Sequence, residues 1–176
     1  MRLALGQMNA TVGDFSGNGE KIEALWREAE AVKADLLLVP EMALCGYPPR
    51  DLLDRPAFQA ESARLLAELT RRSGRTALLA GTFLPNRSRT GKPLYNAAVL
   101  MRNGKASAVG RKCLLPAYDV FDEVRHFEPA ESPTLARLAG RRVGLTICED
   151  LWNDKDFFRA RRLYRDDPGE TLLARG

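Results

Sequence analysis

Two hydrophobic periods alternate along this chain. Leu3 to Met8 is a short apolar run that predicts a strand, and the polar, glycine-containing stretch from Asn9 to Gly19 reads as a connection. Ile22, Leu25, Trp26, Ala29 and Val32 then recur at helical spacing with charges between them. Leu36, Leu37, Leu38 and Val39 form a continuous apolar run stopped by Pro40, the pattern of a strand covered on both faces. Strand, helix and strand in that order imply a parallel βαβ unit.

Glu41 to Asp54 is loop-like, with Gly46, Pro48 and Pro49. Asp54 as N-cap and Pro56 as first-turn proline open a second helix, whose apolar face carries Phe58, Leu65, Leu66 and Leu69 and which Gly74 is placed to stop. Thr76 to Leu84 predicts another buried strand. Leu94 to Arg102 and Lys105 to Lys112 flank Asn103-Gly104, a strong hairpin signal. Lys112 to Pro133 has few periodic apolar positions, and a loop of that length inside a compact domain is usually functional. A second hairpin is expected from Thr134–Leu138 and Arg142–Ile147, turning at Gly140. Asp154 to Tyr164 reads as a short, Arg-rich helix, and Asp166 to Gly176 as turn residues. The class is α/β, with parallel units and hairpins in one sheet or two. Little core-forming sequence follows Cys148.

Length and composition fit one soluble domain with a real core: 176 residues, 45% hydrophobic and 28% charged. The net charge of +4 is spread over scattered arginines, with no basic block and no aromatic-interleaved basic stripe. That argues against a nucleic-acid partner. No apolar run approaches the roughly 18 residues of a membrane span, and the N-terminus reads as a strand rather than a signal peptide. The three cysteines, Cys45, Cys113 and Cys148, have no CxxC spacing, which argues against a disulfide framework or a zinc site and points to a reducing, cytoplasmic setting. With His126 the single histidine, a His-rich metal site is excluded, and any His-dependent catalytic site would have to use it.

The stretch Thr146-Ile147-Cys148-Glu149-Asp150-Leu151-Trp152 therefore poses a problem. Adjacent acids disfavour a thiolate, so a reactive Cys148 needs a cation or a dedicated base. Side-chain alternation along an extended chain would turn Glu149 away from the thiol. Cys148, Glu41 and Lys112 each sit at or just past the end of an expected strand, where α/β folds gather ligands. Taken singly, each is as readily an inert thiol, a loop acid or a solvated lysine. Together they can do amide chemistry without histidine. A glutamate takes the thiol proton, a lysine offsets the charge of a developing oxyanion, and the Glu149 N–H adds a second oxyanion contact. Cys45, Cys113, Trp26 and His126 read as packing residues, and Trp152 as packing under the nucleophile turn. Arg159, Arg161, Arg162 and Arg165 read as a solvated face.

The ordered strings PEMALCGYPPRDLL, GRKCLLPAYDVFDEVRHFEP and GLTICEDLW resemble the nitrilase (carbon–nitrogen hydrolase) superfamily. Within it, K-x-x-L-P-x-Y-x-V-F-D-E-x-R followed by F-E-P, together with C-E-D-L-W and G-Y-P-P-R-D-L-L, is similar to the glutaminase domain of glutamine-dependent NAD+ synthetases. The resemblance implies an α-β-β-α sandwich, with residues 1–176 forming the N-terminal part of the domain and its C-terminal strands and helices lacking. It implies Glu41 as general base, Lys112 as the lysine that stabilises the intermediate, and Cys148 as nucleophile. Glu123 matches a second glutamate that positions Lys112 and substrate, and Tyr118 matches a tyrosine of the glutamine pocket. The implied partners are L-glutamine and a synthetase domain, in a homo-oligomeric full enzyme. ATP, Mg2+ and nicotinate adenine dinucleotide would serve that other domain, leaving this one without a cofactor. A stand-alone nitrilase-family amidase and an inactive partner-binding fragment are the alternatives.

Overall fold

The computed structural model describes residues 1–154, 156–157 and 160–175. Strand β1 (Leu3–Leu5) leads through α1 (Phe15–Ala31) to β2 (Leu36–Leu38), and α2 (Pro56–Arg72) leads to β3 (Ala77–Pro85). β4 (Leu94–Arg102) and β5 (Lys105–Arg111) complete a five-stranded sheet in the order β1-β2-β3-β4-β5. The first three strands run parallel, as the βαβ pattern predicts, and β3, β4 and β5 run antiparallel. Between β4 and β5, Asn103 and Gly104 both take positive φ, as a tight two-residue hairpin turn requires. After the four-residue helix α3 (Glu123–His126), β6 (Thr134–Leu138) and β7 (Arg141–Leu145) pair as a separate hairpin, and α4 (Pro168–Ala174) follows.

Strand alternation sorts the core into two layers. Leu37, Leu78, Ala80, Val99 and Met101 face Ile22, Trp26, Ala29, Leu65 and Leu69 of α1 and α2. Leu36, Ala77, Leu79, Ala98 and Leu100 face Ala136, Leu138, Leu145 and Ile147 around the β6–β7 hairpin. On the far side of that hairpin a Cβ on Gly144 would lie 2.9 Å from Leu172 of α4, so helix and strand are in close contact there. The layer order is therefore α-β-β-α, with a second sheet of two strands among the described residues. Leu3, Leu5 and Leu38 stay exposed at the β1 side of the large sheet.

Several boundaries differ from the expectation for identifiable reasons. Asp14 caps α1 by accepting from the Gly17 N–H at 2.9 Å, and Val32 falls just outside the helix and is exposed. Asp54 is not the cap of α2: it ends a 3-10 turn over Arg50–Asp54, and Arg55, which offers no capping bond, stands before Pro56. The same helix ends at Arg72, ahead of Gly74. The expected Arg-rich helix over Asp154–Tyr164 is replaced by turns and bends among its described residues, while Lys155, Phe158 and Arg159 lie outside them. Asn153, buried, closes this segment as a loop: its Nδ2 donates to the Tyr164 and Asp166 carbonyls at 3.0 and 2.5 Å. Helix formation moves downstream to α4, where Asp167 accepts from the Glu170 N–H at 2.9 Å and Pro168 fills the first turn.

Candidate functional site

Three chain ends converge. Glu41 lies three residues beyond β2, against β3 at Gly81, where a Cβ would come within 2.6 Å of the Glu41 Cα and 2.5 Å of the Pro40 carbonyl oxygen. Only glycine allows the loop this approach. Lys112 follows β5 directly, with its N–H bonded to the Asn96 carbonyl of β4 at 2.9 Å. Cys148 opens a 3-10 turn, Cys148–Leu151, just after β7, and takes a positive φ of 44°. The Lys112 ammonium is fully buried and sits between two carboxylates, 2.9 Å from Glu41 Oε1 and 2.8 Å from Glu123 Oε1. Exposed Cys148 and Glu41 line one cavity of about 490 Å³ with Gln7, Gly81, Ala98 and Thr146.

Electrostatics follow from that packing. Burial alone would discharge Lys112, but Glu41 and Glu123 outweigh it, and its pKa lies above the ordinary lysine value. Glu123 is pushed up by burial, against the pull of Lys112. The Tyr47 hydroxyl donates to Glu123 Oε1 at 2.9 Å. Burial also raises the Cys148 thiol, and Glu41 raises it further; Lys112 opposes them, while Glu123 and Glu149 add to the rise. The thiol therefore lies above its ordinary value, in a cavity it shares with the Glu41 carboxylate.

The two acids after the cysteine have separate destinations. The chain turns at Cys148 instead of staying extended, so alternation does not govern Glu149. Its carboxylate is buried and accepts the hydroxyls of Tyr118 at 2.8 Å and Tyr164 at 2.9 Å. The hydrogen bond to Glu149, with some burial, holds the Tyr118 hydroxyl at about 12. Asp150, also buried, accepts three backbone N–H groups, from Cys113 and Leu114 on Oδ1 and from Ile147 on Oδ2, each at 2.9 Å. It ties the chain just past Lys112 to the turn that opens at Cys148.

Trp152 is 63% exposed and does not pack under that turn, a correction to the expectation. His126 is buried in α3 and faces Asp51 and Asp54, at 3.8 and 4.0 Å. Trp26 is core, donating to the Thr76 carbonyl at 3.2 Å. Cys45 is buried, with its thiol pushed up to about 12 by desolvation. Cys113 is half-buried and joins the site through its backbone. Arg161, Arg162 and Arg165 are exposed. Asn96 and Tyr164 were not expected at the site. Asn96 is a polar residue just before the apolar run Ala97–Met101 of β4, a signal that a buried amide needs partners, whereas nothing local marks Tyr164. Among the described residues no group of three or more His, Cys, Asp or Glu side chains is placed to hold a metal ion. Among the described residues no helix is long and apolar enough to cross a membrane.

Known proteins resemble this chain in sequence and in fold. The chain is 43% identical over 178 residues to the glutamine-dependent NAD(+) synthetase of Synechocystis sp., an alignment covering 99% of this chain and 32% of that protein. It thus spans about a third of that relative's length. The structure of the glutamine-dependent NAD+ synthetase from Acinetobacter baumannii superposes with a TM-score of 0.77 at 32% identity, over 85% of this chain and 28% of that one. A mutant of the amidase from Nesterenkonia sp. AN1 with acrylamide added at its active site cysteine superposes with a TM-score of 0.74 at 25% identity, over 91% of this chain and 61% of that one. The family model of carbon–nitrogen hydrolases matches residues 2–162, nearly the whole chain, which belongs to the carbon–nitrogen hydrolase family.

Proposed function

We propose that this chain carries the ammonia-releasing half of a glutamine-dependent NAD+ synthetase, as the N-terminal part of its glutaminase domain. The observation that carries the reading is the buried Lys112 held between Glu41 and Glu123, next to a thiol that opens onto the same cavity as Glu41. The identity to NAD+ synthetases supports the substrate assignment, and the acrylamide-modified cysteine of the Nesterenkonia amidase supports a thiol nucleophile.

Glu41 takes the Cys148 proton as sulfur attacks the side-chain amide carbon of L-glutamine. The resulting oxyanion meets the Lys112 ammonium and the Glu149 N–H. Collapse breaks the C–N bond, Glu41 returns the proton to the departing ammonia, and a γ-glutamyl thioester remains. Water, deprotonated by Glu41, attacks that thioester; glutamate leaves and sulfur regains its proton. Glu123 fixes Lys112. In this reading Tyr118 contributes to the glutamine pocket, and Glu149 supports it by accepting its hydroxyl. Ammonia then passes to a synthetase domain, in a homo-oligomeric cytoplasmic enzyme. ATP, Mg2+ and nicotinate adenine dinucleotide serve that step, and no residue of this chain is assigned to them.

The test is made in the whole protein. Cys148→Ala should abolish NAD+ formation from glutamine and leave NAD+ formation from free ammonium intact. Retained glutamine use would remove Cys148 from its role. Hydrolysis of simple amides with no response to glutamine would favour a stand-alone amidase.

A further inference from the structure

Asn96 sits on β4 at the point where β5 delivers Lys112, and its carbonyl accepts the Lys112 N–H at 2.9 Å. Its side chain is buried. The Nδ2 group donates to Glu41 Oε1 at 2.5 Å and to Glu123 Oε2 at 3.2 Å. Lys112 Nζ bridges the same two carboxylates from another direction, at 2.9 and 2.8 Å. The four side chains close a ring in which two donors hold two acids.

The remaining amide atom, Asn96 Oδ1, is buried and has no partner among the described residues. An orphaned buried acceptor is costly. Turning the amide over would not relieve it, since Oδ1 would then face two carboxylates. The orphan is the consequence of aiming both N–H bonds at the acids. Both donors that reach Glu41 land on Oε1, which leaves Oε2 as the edge that can take a proton.

We propose that Asn96 is a positioning residue for the amide hydrolysis: it fixes the Glu41 carboxylate with Oε2 turned toward the thiol, and holds Glu123 apart from Glu41 so that both acids share Lys112. The inference rests on the function proposed above. Because an aspartate at 96 also adds a buried negative charge beside Glu41 and Glu123, the comparison rests on the uncharged variants: a side chain that only fills space predicts that alanine and serine fail alike, and one that acts through its N–H bonds predicts that serine recovers.

Three variants of the whole protein decide this: Asn96→Asp, which keeps shape and removes the donors; Asn96→Ala; and Asn96→Ser, which keeps one small donor should the other two fold poorly. The expected result for Asn96→Asp is a kcat for glutamine hydrolysis lower by about 10- to 100-fold, the usual scale for a hydrogen bond to a charged group. KM should stay within about threefold, since uniform binding is untouched, and the acid limb of the kcat/KM profile should move to higher pH. Asn96→Ala should behave alike and Asn96→Ser should recover part of the loss. In crystals of the variants, the Glu41 carboxylate should leave its wild-type position. Wild-type rates in Asn96→Asp, Asn96→Ser as slow as Asn96→Ala, or Glu41 and Glu123 unmoved in the variant structures, would overturn the proposal. If wild-type protein does not hydrolyse glutamine, the functional reading falls by itself, and the carboxylate positions still decide the role of Asn96.

Discussion

The backbone at Cys148 makes a stability prediction that separates strain from chemistry. Cys148 lies in the left-handed region at φ 44°, and its side chain is exposed. A residue bearing a Cβ is held there at a cost of about 1–2 kcal/mol, which glycine escapes. Glycine in turn gives back about 0.4–1 kcal/mol through its freer unfolded chain. The difference leaves Cys148→Gly more stable than Cys148→Ala by roughly 1 kcal/mol. Alanine is the proper reference, because both variants lack the thiol and neither loses a buried contact that the other keeps. For a domain of this size that difference amounts to about 2–4 °C in Tm. Paired urea and thermal unfolding of the two variants, followed by circular dichroism at one protein concentration, provides the measurement. An alanine variant equal to or more stable than the glycine variant would refute the strain. If the order holds, Cys148 occupies a position where the most stable residue is one without a thiol.

The thiol itself reports the charges around it. Since burial and Glu41 hold Cys148 above the ordinary thiol range, its alkylation by iodoacetamide should be slow at pH 7 and rise steadily into the alkaline range. Glu41→Gln removes a negative neighbour, so alkylation should speed up below that range while glutamine hydrolysis is lost; slower alkylation in Glu41→Gln would contradict the electrostatic assignment. Asp150→Asn leaves one carbonyl oxygen for three N–H groups, and the orphaned donors should lower the unfolding free energy by about 1–3 kcal/mol in urea titrations. Neutralising a buried charge offsets part of this, and an unchanged midpoint would show that the three bonds are not needed.

Strand-end positions were the part of the site the sequence displays well. Glu41, Lys112 and Cys148 each follow an expected strand, and the fold brings Glu41 and Cys148 to one cavity with Lys112 buried against Glu41. Glu123 and Tyr118 came through the resemblance; Glu123 pairs with Lys112, and the Tyr118 hydroxyl donates to Glu149. The acids beside Cys148 misled, because a period-2 rule holds only while the chain is extended, and the turn at Cys148 ends that condition. Asp150 looked like unfavourable charge and is consumed by backbone donors contributed from both sides of the site. Trp152 followed the habit of large aromatic residues to be buried, but the 3-10 turn leaves it outside. The C-terminal helix was misplaced because the arginine content of 154–164 weighed more than the Asp167-Pro168 start signal, and because Asn153 binds the chain back on itself over long range. Tyr164 reaches Glu149 through that same fold-back, which no local pattern encodes.

The Asp150 staple has a consequence for the order of events in folding. One carboxylate joins amides at 113, 114 and 147, segments separated by more than thirty residues of chain. The strand end that carries Lys112 and the turn that opens at Cys148 are therefore joined only when the small hairpin lies docked on the large sheet. Before docking, the Cys148 thiol has neither Glu41 nor Lys112 beside it. A chain still emerging or only partly folded thus carries a thiol at its ordinary value, which rises only with the walls that enclose it.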